Sequence, residues 1–449
     1  MKDIKEASKK ADNVYFATDP DREGEAISKH IYEILDKAKI LKGKKTYRVA
    51  FNEITKTAVS EAIQNPREIS DDLWNAYVAR RTLDYLMGYD ISEFLWKKVS
   101  RLARGGRVQS PALRLIVERE REIDDYNPTE YWLVTLNACK DKNCIDLDLI
   151  SIDGNKVKQK NITNIENQTM AEEIKKSLSK QKNIVVKNTK TSDRRMKPKA
   201  PFTTASLQQT AYSTLGFSVR QTSSIAQRLY QGMQLGGDNI VGLISYMRTD
   251  STTLSKDCLK DIDCYLSKKH PQFKSEDERK YSKKVKNAQE AHEAIRPTSI
   301  DNTPEKVKQY LEDQEYKLYD LIWKRTVASQ MTDAVYNQVT LEFDLSDKYE
   351  FRYSGSFLKE NGFKEIYDLS DNDEKDKINK KILEDIKTGD ELKIKSINLE
   401  QKFTQPPPRY NQASLIQALE ELGIGRPSTY VTIISKILES NYVDPDKSN

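Results

Sequence analysis

Cysteine and histidine are scarce in this chain of 449 residues, which holds four of the first and three of the second. Cys139, Cys144, Cys258 and Cys264 form no paired Cys-x-x-Cys motifs, so the pattern excludes a zinc ribbon. No apolar run approaches the roughly 18 residues that a membrane-spanning helix requires, and Met1-Lys2-Asp3 does not open a signal peptide. A cytoplasmic protein with reduced thiols is expected, with no membrane partner. Charge of one sign is not in large excess either. A net charge of +5 with 32% charged residues is too mild to identify a nucleic-acid binder from composition alone. No internal repeat is visible, which excludes a solenoid.

What is present is length and local chemistry. A chain of this size exceeds what one hydrophobic core serves, so several domains are expected. Residues 241–251 read Val-Gly-Leu-Ile-Ser-Tyr-Met-Arg-Thr-Asp-Ser. Tyr246 is one of 23 tyrosines, and most tyrosines pack or make a surface hydrogen bond. Here an apolar run ends at the tyrosine and Arg248 follows at once, which predicts a polar site at the end of a buried strand. A phenol with a pKa of about 10 is a poor nucleophile. A neighbouring guanidinium favours the phenolate and stabilises charge developing on a phosphodiester, so phosphoryl transfer to tyrosine is the chemistry this pair suits.

A second feature is Ala17-Thr18-Asp19-Pro20-Asp21-Arg22-Glu23-Gly24-Glu25, directly after the short apolar segment 14–17. Carboxylates at i, i+2 and i+4 in a loop leaving a strand can converge, and hard oxygen donors suit Mg²⁺. The same residues also suit an ordinary acidic first helical turn. Ala26, Ile27, His30, Ile31 and Ile34 continue with helical spacing, so strand, acidic loop and helix follow in the order found at the carboxyl end of an α/β sheet.

Between Lys97 and Arg107 five basic residues occur without an acidic one, and Gly105-Gly106 allows backbone to approach a ligand. Residues 71–96 carry helical spacing that places Arg81 and Asp84 as i,i+3 neighbours, so that the carboxylate can orient the guanidinium. Tyr131 to Leu136 and Gln338 to Phe343 alternate as strands. Val431, Ile434, Ile437 and Leu438 form an apolar helical stripe. The segment 371–387, dense in both charge signs, reads as a solvated connection or exposed helix.

Taken together these segments resemble the bacterial members of the type IA DNA topoisomerase family. Asp19, Asp21 and Glu23 match the acidic metal motif of its Toprim domain, Tyr246 the nucleophile that becomes joined to a 5′-phosphate, and Arg248 the arginine after it. Residues 51–55 (FNEIT), 106–110 (GRVQS), 201–204 (PFTT), 291–297 (AHEAIRP) and 423–430 (GIGRPSTY) agree in family order over nearly the whole chain. The resemblance implies an isomerase with Mg²⁺ as cofactor and catalytic residues Tyr246, Arg248 and His292. It implies DNA contacts from Arg48, Arg80, Arg81, Asp84, Tyr89, Trp96, Arg104, Gly105, Gly106, Arg107, Val108, Gln109, Arg248 and Arg426. The expected partner is single-stranded or negatively supercoiled DNA, met by a monomer associated with the nucleoid.

The fold class implied is multidomain, α/β plus α plus β: a toroid with a truncated Toprim domain (1–65), a helical DNA-binding base (66–124 and 401–449), a β-rich hinge (125–198 and 331–400) and a helical lid carrying the tyrosine (199–330). In the family a strand with a catalytic glutamate precedes the acidic motif. Met1 lies 18 residues before Asp19, so the resemblance implies a Toprim portion without that strand and with an exposed sheet edge. Two alternatives have other consequences: a Toprim nuclease or primase-like protein would use the acidic loop without the tyrosine, and a catalytically incomplete DNA-binding fragment would keep only the groove.

Overall fold

The computed structural model describes residues 1–449 apart from 102, 142, 160–161, 237–239, 282–292, 370–379, 382–384 and 445–449. The chain divides into two compact units. One is made of Met1–Glu118, Lys199–Gln330 and Arg409–Asn449, and the other of Arg119–Pro198 and Met331–Pro408.

After the opening helix Lys2–Lys10, the first unit forms a βαβ crossover. Strands Asn13–Phe16 and Lys45–Arg48 pair in parallel, joined by the helix Arg22–Lys37, because parallel neighbours need a connection long enough to return to the same end of the sheet. Phe16, Leu35, Ile40 and Leu41 form its small core. Tyr15, Ile27 and Ile34 remain exposed. Asp21 caps the helix, accepting the Gly24 N–H at 2.8 Å. Glycine is required at 24 by close approach: a Cβ there would stand 2.1 Å from the Asp19 carbonyl oxygen. The acidic loop and the helix start are thus pressed together.

The helix Asp71–Lys98 follows, capped by Ser70, whose hydroxyl accepts the Leu73 N–H. Farther along, the helices Gln109–Asp124, Thr204–Leu215, Val219–Gln231, Gln412–Glu421 and Tyr430–Glu439 share a core that includes Ala112, Ala205, Val219, Leu415, Ile416 and Ile437. On the last helix Tyr430, Ile433, Ile434 and Ile437 are the buried residues, while Val431 and Leu438 sit at the edge of the core, so the stripe is turned by about one position from the sequence expectation.

The tyrosine segment departs from expectation in its backbone. Only Ile240–Val241 is strand, paired with Met233–Gln234. Residues 242–246 are irregular, touching sheet geometry only in the isolated bridge Ile244↔Pro297. The apolar run reflects burial under neighbouring loops rather than a central strand, which periodicity over so few residues cannot distinguish.

The second unit is a closed antiparallel sheet. Its strand order is Tyr349–Glu360, Ala334–Leu345, Asn183–Met196, Glu391–Phe403, Glu130–Lys140, Asn143–Ile152, and the last pairs again with the first. Closure is made by short ladders, residues 183–185 against 391–393 and 349–352 against 148–152, so the rest of Asn183–Met196 and of Tyr349–Glu360 pairs on one side only. Ile145, Leu147 and Leu149 point inward with period two to meet Leu136, Val186, Leu341, Phe343 and Phe351. The helix Gln168–Leu178, capped by Asn167, lies within a stretch that reads as polar and strand-like in sequence; its buried Ala171 and Leu178 are too few to announce it.

One further expectation changes. Cys139 and Cys144 face each other across the hairpin, with Cα atoms 4.0 Å apart, and are joined as a disulfide, so the expectation of four reduced thiols is corrected to two, Cys258 and Cys264. Most of the charged segment 371–387 lies outside the described residues. Among the described residues no helix is long and apolar enough to cross a membrane.

Candidate active site

Tyr246 sits at the meeting point of three loops. Its N–H donates to Asn52 O at 2.7 Å, and nearby Gly242 N–H donates to Ile54 O at 3.1 Å. Ser245 N–H donates to Arg296 O at 2.8 Å and its hydroxyl to Ala294 O at 2.7 Å. Thr204 Oγ1 donates to Met247 O and accepts the Thr249 N–H. The sequence motifs around residues 52, 203 and 295 are therefore the holder of the tyrosine loop. Arg296 reinforces it: the buried guanidinium lies 2.9 Å from Glu53 Oε2 as an ion pair and donates to Glu293 Oε2 at 2.6 Å.

The phenol itself is 2% exposed, packed edge-on against Tyr230. Its hydroxyl donates to Asp21 Oδ2 at 2.6 Å, and Arg248 Nη1 stands 3.5 Å from the same oxygen. Nucleophile, cation and acidic loop thus share one carboxylate. Burial, and then the Asp21 carboxylate, push the Tyr246 phenol well above its ordinary value, with Arg248 pulling the other way. The expected promotion of the phenolate by Arg248 is outweighed in this arrangement, and Tyr246 is held as a donor. A phosphate entering the site would remove that balance by drawing Arg248 to itself.

Asp19 lies close by. Burial first and Asp21 second raise its pKa, against Arg248 and Arg48. The negative charge that Asp19 and Asp21 bring to one place is a fit for a hard dication, which would relieve their repulsion and keep several waters. Glu23 departs from the expected convergence, turning to Arg80 Nη1 at 3.8 Å. Among the described residues no group of three or more His, Cys, Asp or Glu is gathered as a closed metal cluster.

Arg48 must be reassigned. Its side chain is 0% exposed, so it offers nothing to DNA in this state. It donates to Glu25 Oε2 at 2.9 Å, Phe16 O at 3.1 Å, Thr18 O at 2.9 Å and Asp19 O at 2.7 Å, and also to Val49 O. Glu25 in turn accepts from Arg67 and from the Ser70 N–H. Burial raises the Glu25 carboxyl, but the donors from Arg67, Ser70 and Arg48 outweigh it and hold it at about 2. This buried pair fixes the backbone of the acidic loop. Sequence reasoning missed Glu25 and Arg67, because a buried ion pair and a solvated one look alike in sequence.

Beside the tyrosine runs a groove of about 880 Å³. It gathers many of the predicted residues: Glu23, Arg80, Arg81, Asp84, the run 104–109 and Arg248. Asp84 orients Arg107 at 2.9 Å and Arg80 at 3.8 Å rather than Arg81, a correction to the i,i+3 expectation. Arg81 makes no ion pair among the described residues, which leaves it available to an anion. Gly105 also changes meaning. A Cβ there would meet Ile91 Cγ2 at 2.0 Å, so glycine is required for packing on the long helix, not for approach of a ligand. Gly106 stands tight only against Gln109.

Other predicted contacts fall outside the groove lining. Tyr89 is 60% exposed and meets Tyr85 at a tilt, with ring centroids 4.6 Å apart, and Trp96 is 45% exposed. Arg426 turns its guanidinium back to Gly425 O at 2.7 Å. His292 lies outside the described residues. The groove wall also contains Ser428, Thr432 and Lys436, which were not foreseen. Thr432 and Lys436 share the polar face of the last helix at a spacing of four, which was the available signal, and Ser428 stands in the turn before it.

Comparison with known proteins bears on this geometry. Residues 1–54 match the Toprim domain and residues 68–449 match the family described as DNA topoisomerase. The chain belongs to the type IA DNA topoisomerase family. Its relatives within that family include bacterial enzymes named DNA topoisomerase 1. That of Xylella fastidiosa (strain Temecula1 / ATCC 700964) is 46% identical over 445 residues, 98% of this chain and 54% of the relative. That of Rickettsia bellii (strain RML369-C) is 46% identical over 448 residues, 99% of this chain and 55% of the relative. The full-length topoisomerase I structure from Thermotoga maritima aligns with a TM-score of 0.79 at 33% identity, covering 99% of this chain and 68% of that one. The chain spans about half the length of the curated relatives it matches. A match from residue 68 onward includes the tyrosine segment, which does not favour the nuclease or primase-like alternative.

Proposed function

We propose that this chain carries the strand-cleaving chemistry of a type IA topoisomerase: transient cleavage of single-stranded DNA through a 5′-phosphotyrosine, passage of a strand and rejoining, which relaxes negative supercoils without ATP. The carrying observation is the contact of Tyr246 Oη with Asp21 at 2.6 Å beside Arg248, at the end of a cationic groove. Tyr246 Oη attacks phosphorus and its proton passes to Asp21. The bond from phosphorus to the 3′-oxygen breaks, and that oxygen takes up the proton that Asp21 received, relayed through solvent, and leaves as a hydroxyl, so Asp21 is again a carboxylate. Arg248 stabilises charge on the phosphoryl oxygens. His292, at the matching family position, is assigned to positioning the phosphate. Rejoining reverses these steps, and the phosphotyrosine keeps the bond energy. Asp19 and Asp21, with Glu23 in the same loop, are the residues that would hold Mg²⁺. When bound, it supplies positive charge that keeps the cut ends in place for rejoining.

Relaxation of a negatively supercoiled plasmid is the direct test. Loss of supercoils with Mg²⁺ and no ATP, stopped by a chelator, is the expected result. An ATP requirement, or equal relaxation of positive supercoils, would count against the reading. Binding offers an independent check. Single-stranded DNA should bind more weakly as salt rises, and replacing Arg81 by Ala should lower the slope of log K against log salt by about 0.7, the value for one phosphate contact on a single strand. A filter-binding series with an unchanged slope would remove Arg81 from the interface.

A further inference from the structure

A second, smaller cavity of about 270 Å³ adjoins the groove. Arg248, Ser428 and Thr432 line both spaces, so they meet at the arginine beside the nucleophile. The smaller cavity has walls of two kinds. Met247, Pro427 and Val431 present apolar surface, while Gln208, Ser223 and Gln227 present amides and a hydroxyl. Arg248 is its only charged lining residue. A phosphate would be poorly served by so neutral an interior, whereas a nucleobase has apolar faces and a polar edge to match it. The volume is also below the range of roughly 300–1,000 Å³ usual for drug-sized ligands, which suits one planar base.

Gln208 supplies the second observation. It is 1% exposed, its Nε2 donates to Ser223 Oγ at 2.9 Å, and its Oε1 has no hydrogen-bond partner. A buried amide oxygen left unpaired is costly, and such groups in native proteins ordinarily find a donor. The exocyclic amino group of a base is a donor of the right kind, since a glutamine amide oxygen accepts from such a group in base recognition.

We propose that this cavity receives one base of the bound single strand close to the scissile phosphate, and that Gln208 Oε1 accepts a hydrogen bond from its exocyclic amino group. Cleavage is then favoured where that position carries adenine, cytosine or guanine and disfavoured where it carries thymine, which has no amino group. The inference rests on the cleavage reading above and adds a sequence preference to it.

Covalent adducts formed by the full chain on single-stranded oligonucleotides of random sequence would be isolated and sequenced around the cut. One hydrogen bond of this kind predicts that thymine is depleted by about fivefold to tenfold at a single position. Gln208→Leu, which keeps the volume and removes the acceptor, should erase that depletion and leave other positions unchanged. Gln208→Glu, which keeps an acceptor, should preserve it and serves as the control for folding. Adducts with no thymine depletion in the parent, or with the same depletion in Gln208→Leu, would overturn the base pocket while leaving cleavage intact. Absence of any adduct would instead count against the cleavage reading. In that case fluorescence anisotropy decides the pocket, using oligonucleotides that differ by one thymine-to-cytosine exchange. An affinity difference present in the parent and lost in Gln208→Leu supports it, and equal affinities in both proteins overturn it.

Discussion

Tyr246→Phe is expected to reduce the covalent DNA adduct below detection while single-stranded DNA binding stays close to that of the parent. The substitution removes one oxygen and keeps the ring that packs edge-on against Tyr230. The lost contact is the bond to Asp21, and deleting one hydrogen bond costs only about 0.5–1.5 kcal/mol. The nucleophile cannot be replaced in this way, because Tyr246 alone among the described tyrosines donates to the acidic loop beside Arg248. Binding depends on the groove arginines, which the change does not touch. Denaturant trapping on oligonucleotides labelled upstream or downstream of the cut separates the outcomes. The parent adduct should carry the downstream label through its 5′-phosphate. An adduct persisting in Tyr246→Phe, or one formed through a 3′-phosphate, would overturn the assignment.

The largest loss of stability is expected from Glu25→Ala. Arg48 would then keep its charge at a fully buried position with carbonyl oxygens as its only partners. Removing one member of a buried pair typically costs about 3–5 kcal/mol. The carboxylate contribution also has a sign in pH. With Glu25 held at about 2 against an ordinary 4.5, its stabilisation is fully present above the ordinary value and is lost as pH falls through the lower one. A chain with two compact units need not unfold in one step. Hydrogen exchange over residues 13–48 is therefore the suitable readout, with faster exchange expected there and little change in the closed sheet. Unchanged protection of residues 13–48 would show that the pair contributes little.

Legibility in the sequence followed the range of each interaction. Asp21, Tyr246 and Arg248 stand in short contiguous motifs whose chemistry depends on immediate neighbours, and the structure brings them together. Of the basic run 97–107, Arg104 and Arg107 line the groove, and Arg80, Arg81 and Arg248 join them from other motifs. What escaped was non-local. The exchange of Arg48 from DNA contact to loop clamp depends on Glu25 and Arg67, distant in sequence and unremarkable by type. Closure of the sheet depends on Tyr349 meeting Ile152, a pairing that strand alternation cannot announce. The disulfide escaped for the opposite reason. Compartment reasoning argued against it, while the hairpin register sets Cys139 and Cys144 directly opposite.

The loops around Tyr246 are fastened to residues 52–54 largely through main chain, by the Asn52 and Ile54 carbonyls, with the Asp21 bond and the Glu53 to Arg296 pair beside them. The two main-chain bonds contribute about 0.5–1.5 kcal/mol each and the two contacts to carboxylates about 1.5–3 each, so the four together amount to roughly 4–9 kcal/mol. On these contacts alone, parting of the tyrosine from the acidic loop would occur spontaneously in roughly one molecule in 10³ to 10⁶ at any moment. An opening that rare is still reached by slow thermal motion, and any ligand that binds the parted form more tightly raises its population by the difference in its affinity for the two forms.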